Sequence, residues 1–144
     1  LRKVDAVCMN DGEARELTGH TSLVKAGHKL LSFGPQYAII KKGEHGCLLF
    51  AKNRFFTAPA YPLEDIHDPT GAGDAFAGSL MGYLASVNEI NFEVLRKAVV
   101  YGSVMASFNV EAFSLTRLQT LKQTDIKERY KAFKVFSHFD DIDF

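Results

Sequence analysis

The chain has 144 residues, enough for one domain and short for two that fold independently. Apolar residues make up 47% of it, which supports a packed core and excludes an intrinsically disordered chain. Seventeen Lys and Arg balance 17 Asp and Glu, so the formal net charge is zero and the electrostatic basis for binding nucleic acid or an anionic membrane is missing. The longest apolar run, residues 75–87, is broken by Gly78, Ser79, Gly82 and Ser86 and falls short of the roughly 18 apolar residues that cross a bilayer. Neither a membrane nor a nucleic acid is therefore expected as a partner. Cys8 and Cys47 each sit in a short apolar run without metal-ligand spacing, and read as reduced core thiols of a cytosolic, cytoplasmic protein. The chain opens on Leu1 and enters a strand-like stretch at once, so it is expected to be a piece of a longer protein.

In chain order, residues 4–9 read as a short buried strand with only Asp5 polar. Asn10, Asp11 and Gly12 lead into a helix-favouring run, residues 13–18, closed by Gly19. Thr21 or Ser22 caps a second helix, in which Leu23, Ala26, Leu30 and Leu31 recur at intervals of three and four before Gly34-Pro35 ends it. Residues 37–40 predict a strand running into Lys41 and Lys42, and residues 43–46 predict a turn. Cys47–Ala51 and Arg54–Ala58 predict a hairpin around Lys52-Asn53. Pro59 and Pro62 mark a loop, and residues 67–73 are rich in turn formers.

A helical pattern then covers residues 72–87, whose small residues Ala75, Ala77, Gly78 and Ser79 would let another backbone approach closely. Residues 92–108 predict a helix buried on more than one face. Thr124 would cap a last helix reaching Phe136, with Ile126, Tyr130 and Phe133 on one stripe. The tail, residues 137–144, carries Asp140, Asp141 and Asp143 and is expected to fray. Strands and helices alternate early and helices dominate late. That pattern predicts a single α/β domain over residues 1–144, with a sheet made mixed by the hairpin.

The stretch Asp68-Pro69-Thr70-Gly71-Ala72-Gly73-Asp74-Ala75-Phe76 carries the chemistry. A glycine-rich turn runs directly into a helix. The glycines let several N–H groups aim at one point, and the helix end adds partial positive charge there, a combination suited to phosphate. Asp74 falls in the first turn of that helix, whose positive end favours a carboxylate. A carboxylate repels a phosphate, so its position makes sense where a hydroxyl must lose its proton beside one. An ordinary glycine-rich turn with a first-turn acid is the alternative at this point. A dinucleotide fingerprint does not fit, because the glycine after Gly71-x-Gly73 is Gly78 and a proline-containing loop replaces the preceding strand. A Walker A loop does not fit either, since no Lys-Ser/Thr follows the glycines. Asn10 and Glu13, taken alone, read as a helix cap and an exposed acid. The five histidines show no metal spacing.

The run from Asp68 to Phe76 resembles the C-terminal signature of the ribokinase-like, or phosphofructokinase-B-type, carbohydrate kinases. Asn10-Asp11-Gly12-Glu13 is similar to that family's Asn-x-x-Glu motif, and Lys41-Lys42-Gly43-Glu44-His45-Gly46 to its Gly-x-x-Gly turn at the nucleotide. The three occur in family order, and the resemblance spans roughly residues 4–130. It implies a three-layer α/β sandwich, of which this chain would be the C-terminal, nucleotide-side portion. It implies transfer of the γ-phosphoryl group of ATP to a primary hydroxyl of a sugar or nucleoside. Asp74 would be the base, and Gly71, Ala72 and Gly73 the anion hole. Asn10 and Glu13 would organise Mg²⁺ through its waters, and Lys41, Gly43 and Gly46 would lie at the nucleotide phosphates. Lys42 reads as a solvated surface lysine.

Asp68 and Thr70 match positions that in some members hold a monovalent cation such as K⁺, with Ser114 in the same loop. A turn stabilised by those side chains is equally consistent. The helix over residues 92–108 would wall the adenine site. The implied partner is a small-molecule sugar or nucleoside, and the resemblance allows a homodimer of the full-length protein. A complete member also has an N-terminal half with most of the sugar contacts, so the substrate is not legible in these residues. The alternative function is a truncated, non-catalytic nucleotide-binding module of the same family.

Overall fold

The computed structural model describes residues 1–142, so the reading of Asp143 in the acidic tail lies outside the described residues. The elements run β1 (Ala6–Asn10), α1 (Asp11–Thr18), α2 (Leu23–Ser32), β2 (Tyr37–Lys41), β3 (Cys47–Ala51), β4 (Arg54–Ala58), α3 (Ala72–Ala85), α4 (Phe92–Asn109), α5 (Thr116–Gln119) and α6 (Gln123–Phe136). The sheet order is β1-β2-β3-β4. β1 and β2 are parallel, joined through α1 and α2, while β3 is antiparallel to both of its neighbours, so the sheet is mixed as expected. The hairpin turns at Lys52-Asn53, where Asn53 takes φ 59°, a conformation that asparagine tolerates.

Period two divides the sheet. Ile39, Leu49 and Ala58 meet Phe76, Leu80 and Leu84 of α3 and Leu95, Ala98 and Val99 of α4. Ala38, Ile40, Leu48 and Phe50 face the other way, against Ala14, Ala26 and Leu30 of α1 and α2. The result is a three-layer sandwich with β3 buried along its whole length. A third cluster joins Val104 and Phe108 of α4 to Ile126 and Phe133 of α6, which is why α4 is buried on more than one face.

Four local expectations are corrected. The stretch at residues 4–9 is not a buried strand. β1 starts at Ala6 and lies at the sheet edge, where Ala6, Cys8 and Asn10 stay exposed because the α3 and α4 cluster on that face takes in β2, β3 and β4 but no residue of β1. Cys8 is therefore no core thiol, whereas Cys47 is, and burial pushes the Cys47 thiol up to about 12. Gly78 faces open space; the close approach between α3 and α4 is made by Gly102, whose missing side chain leaves room for Phe76. Thr124 is not the cap of α6, which starts one residue earlier, and the Asp125 carboxylate accepts the Lys122 N–H at 3.3 Å. Residues 137–142 form no helix or strand. Among the described residues no helix is long and apolar enough to cross a membrane.

Candidate functional site

The parallel register of β1 and β2 makes Asn10 and Lys41 partners at the carboxyl ends of the two strands. Alternation places both on the face of the sheet that α3 packs against. Lys41 is half-buried and has no ion-pair partner among the described residues. A side chain on Gly73 would bring its first carbon to 2.9 Å from Lys41 Nζ, so the ammonium lies against the first turn of α3. Two strand ends and one helix mouth thus converge, the place where open α/β sheets bind ligands.

The turn before α3 is built locally. Asp68 Oδ1 accepts the Thr70 N–H at 2.9 Å. Hydrogen bonds from the Thr70 hydroxyl, the Thr70 N–H and the Ser114 N–H hold the Asp68 carboxyl below the usual aspartate range. Gly71 then takes φ 81°, the left-handed region that favours glycine, and α3 begins with no side-chain cap. The Ala72 N–H turns back to the Pro69 carbonyl at 3.2 Å, and the Ala75 N–H reaches the Gly71 carbonyl at 2.8 Å. The N–H groups of Gly71, Gly73 and Asp74 have no partner among the described residues. The site therefore offers uncommitted amides, the positive end of a 14-residue helix and an unpaired ammonium, with the exposed Asp74 carboxylate beside them. Such a field attracts an anion.

Asn10 and Glu13 form a capping box on α1: each backbone N–H donates to the other's side-chain oxygen at 2.8 Å. Glu13 keeps a second carboxylate oxygen and is exposed. No group of three or more His, Cys, Asp or Glu able to hold a metal occurs among the described residues. That donor set fits an ion that keeps most of its waters and takes its other ligands from phosphate, as Mg²⁺ does. Gly43 and Gly46 bracket the turn after β2, at the same end of the sheet. Gly46, at φ 80°, presses against the Ala58 carbonyl and Pro59, where a side chain would not fit, so its packing role is plain; Gly43 is exposed to open space.

Asn109 escaped the sequence reading. It is 1% exposed, its Nδ2 donates to the Thr70 carbonyl at 2.9 Å, and its Oδ1 is the one buried side-chain polar atom without a partner among the described residues. Its only local signal is an amide set between Phe108 and Val110.

The model of the pfkB family carbohydrate kinases matches residues 1–121. The chain belongs to that family. Among curated pfkB relatives, it is 34% identical to ribokinase of Mus musculus over 113 residues, 73% of this chain and 33% of that protein. It is 40% identical to cytidine kinase of Thermococcus kodakarensis over 86 residues, 58% of this chain and 31% of that one. The chain thus spans about a third of the length of these relatives. Its fold matches aminoimidazole riboside kinase from Salmonella enterica, complexed with aminoimidazole riboside and an ATP analog, with a TM-score of 0.76 at 28% identity over 88% of this chain and 42% of that one. The three-layer sandwich is accordingly the ribokinase-like fold.

Proposed function

We propose that the protein carrying this chain is an ATP-dependent kinase that phosphorylates a primary hydroxyl of a sugar or nucleoside. The observation that supports it best is the set of uncommitted N–H groups at Gly71, Gly73 and Asp74, with the Lys41 ammonium against Gly73. Donors fixed before the reaction stabilise charge as it develops on a transferring phosphoryl group, and cost no reorganisation at that moment. Asp74 takes the proton of the acceptor hydroxyl; the freed oxygen pair attacks the γ-phosphorus, and ADP leaves. Lys41 offsets charge on the phosphates from the strand side. Bound Mg²⁺ would supply further charge neutralisation, and Glu13, with Asn10 orienting it through the capping box, would hold its waters. Asp68 and Thr70 shape the turn, and their oxygens suit a monovalent cation such as K⁺. Gly43 and Gly46 keep the turn after β2 low enough for a nucleotide to lie over it. The chain itself is read as the nucleotide-side portion, with the acceptor held mainly by the rest of the protein.

The test uses the full-length protein with ATP and a panel of sugars and nucleosides. Asp74→Asn is expected to lower turnover by about 10²- to 10⁴-fold, with ATP affinity changed only a few-fold. Near-normal turnover in that variant would remove Asp74 as the base.

A further inference from the structure

Thr70 and Gly71 share one peptide bond. That unit is planar and trans, so its carbonyl and its N–H point in opposite directions. The Asn109 Nδ2 bond at 2.9 Å holds the Thr70 carbonyl toward the core. The Gly71 N–H, one of the uncommitted donors, must then face away from the core.

The platform that carries Asn109 is itself held. Arg129 of α6 donates to Ser107 Oγ at 3.1 Å, pairs with Glu111 at 2.5 Å and lies 3.5 Å over the ring of Phe108. The Val110 carbonyl accepts the N–H groups of His67 and Asp68 at 2.9 and 3.4 Å. The end of α4 is thus bonded to the turn at His67 and Asp68, just ahead of the Thr70–Gly71 peptide, and at the Thr70 carbonyl itself. A side chain on Gly71 would meet the Asn109 amide at 3.6 Å, so the bare glycine leaves nothing between amide and turn.

The orphan Oδ1 works against stability, while the Nδ2 bond satisfies the Thr70 carbonyl. A buried carbonyl without a donor weakens the fold, and a leucine of similar size would avoid that cost. What the amide contributes is the Nδ2 bond. We infer that Asn109 is a positioning residue: it orients the Thr70–Gly71 peptide so that the Gly71 N–H points at the phosphoryl group in transfer. The inference rests on the phosphoryl-transfer reading of the site.

The experiment compares the full-length protein with its Asn109→Leu and Asn109→Asp variants. Calorimetry measures the affinity for Mg²⁺-ADP alone and with aluminium fluoride, which stands in for the transferring group, and thermal unfolding is followed in parallel. ADP affinity is expected to stay within about twofold, while the extra tightening given by aluminium fluoride falls by about tenfold or more. The unfolding midpoint of Asn109→Leu should change little, since the variant removes one unpaired carbonyl and leaves that of Thr70 unpaired in its place. A threonine hydroxyl can still donate to the Thr70 carbonyl, so Asn109→Thr should recover part of the tightening. Retention of the full tightening in Asn109→Leu overturns the inference, and so does a loss of ADP affinity and fold together, which would mark a purely structural amide. If the unsubstituted protein shows no tightening, the phosphoryl-transfer reading falls and takes this inference with it. The reading surviving while Asn109→Leu behaves normally would strike the inference alone.

Discussion

Asp68 is partly exposed, yet its carboxyl is held below the ordinary aspartate range, first by the Thr70 hydroxyl and then by the backbone N–H groups of Thr70 and Ser114. Because its folded pKa is depressed, whatever it adds to stability is present above the unfolded aspartate value and disappears as pH falls through the lower, folded one. Removing the hydroxyl with Thr70→Val should move the Asp68 titration, followed by carboxyl NMR, back up toward the ordinary value. An unmoved midpoint would discard the hydroxyl as the main cause. The same residue scale shows where local reading ends. Asp68, Thr70, Gly71 and Asp74 lie within seven consecutive positions, so their turn could be read from their order. Nothing local tells that the Ala72 N–H is turned inward to Pro69 while the Asp74 N–H is left open.

At the scale of elements, α1 begins where Asn10 and Glu13 cap it, and the same two side chains are read as the Mg²⁺ organisers. The two roles separate by substitution. Asn10→Ala should destabilise the fold by about 1 kcal/mol, the usual worth of an N-cap. Glu13→Gln keeps an acceptor for the Asn10 N–H and preserves the box. In the full-length protein its unfolding midpoint should therefore hold, while the Mg²⁺ concentration for half-maximal activity rises severalfold. An unchanged Mg²⁺ requirement would leave Glu13 as a cap alone. Element boundaries were legible wherever a cap or a glycine marks them, as at Ser22 before α2 and Gly19 after α1. They were less legible at α6, where the acceptor is Asp125 rather than the more obvious Thr124. The four-residue α5 carries too little pattern to be seen.

For the whole molecule, the sheet presents β1 as an edge. β1 pairs with β2 only, and Ala6 and Cys8 are exposed beyond the reach of the α3 and α4 cluster. Large apolar side chains at Val4, Met81, Phe113 and Val135 are exposed as well. An open edge and uncovered apolar surface promote pairing with other chains. The purified 144-residue chain is expected to self-associate and to unfold with little cooperativity, and alone to transfer no phosphoryl group, because nothing would position the acceptor. A monodisperse monomer in light scattering, with a sharp calorimetric transition, would contradict the first part; turnover of any sugar by that chain would contradict the second.

By itself the sequence determined the mixed α/β sheet, the hairpin at Lys52-Asn53, the cap at Asn10 and the glycine turn running into a helix with Asp74 in its first turn. Each depends on a few neighbouring residues, through side-chain period, φ preference or a bond reaching three positions along the chain. The tertiary structure alone decided that β1 is an exposed edge, that Lys41 reaches Gly73, and that Asn109 bonds Thr70 from 39 residues away. Those contacts depend on how separate elements pack across a shared core, and packing leaves no periodic trace in the residues it brings together.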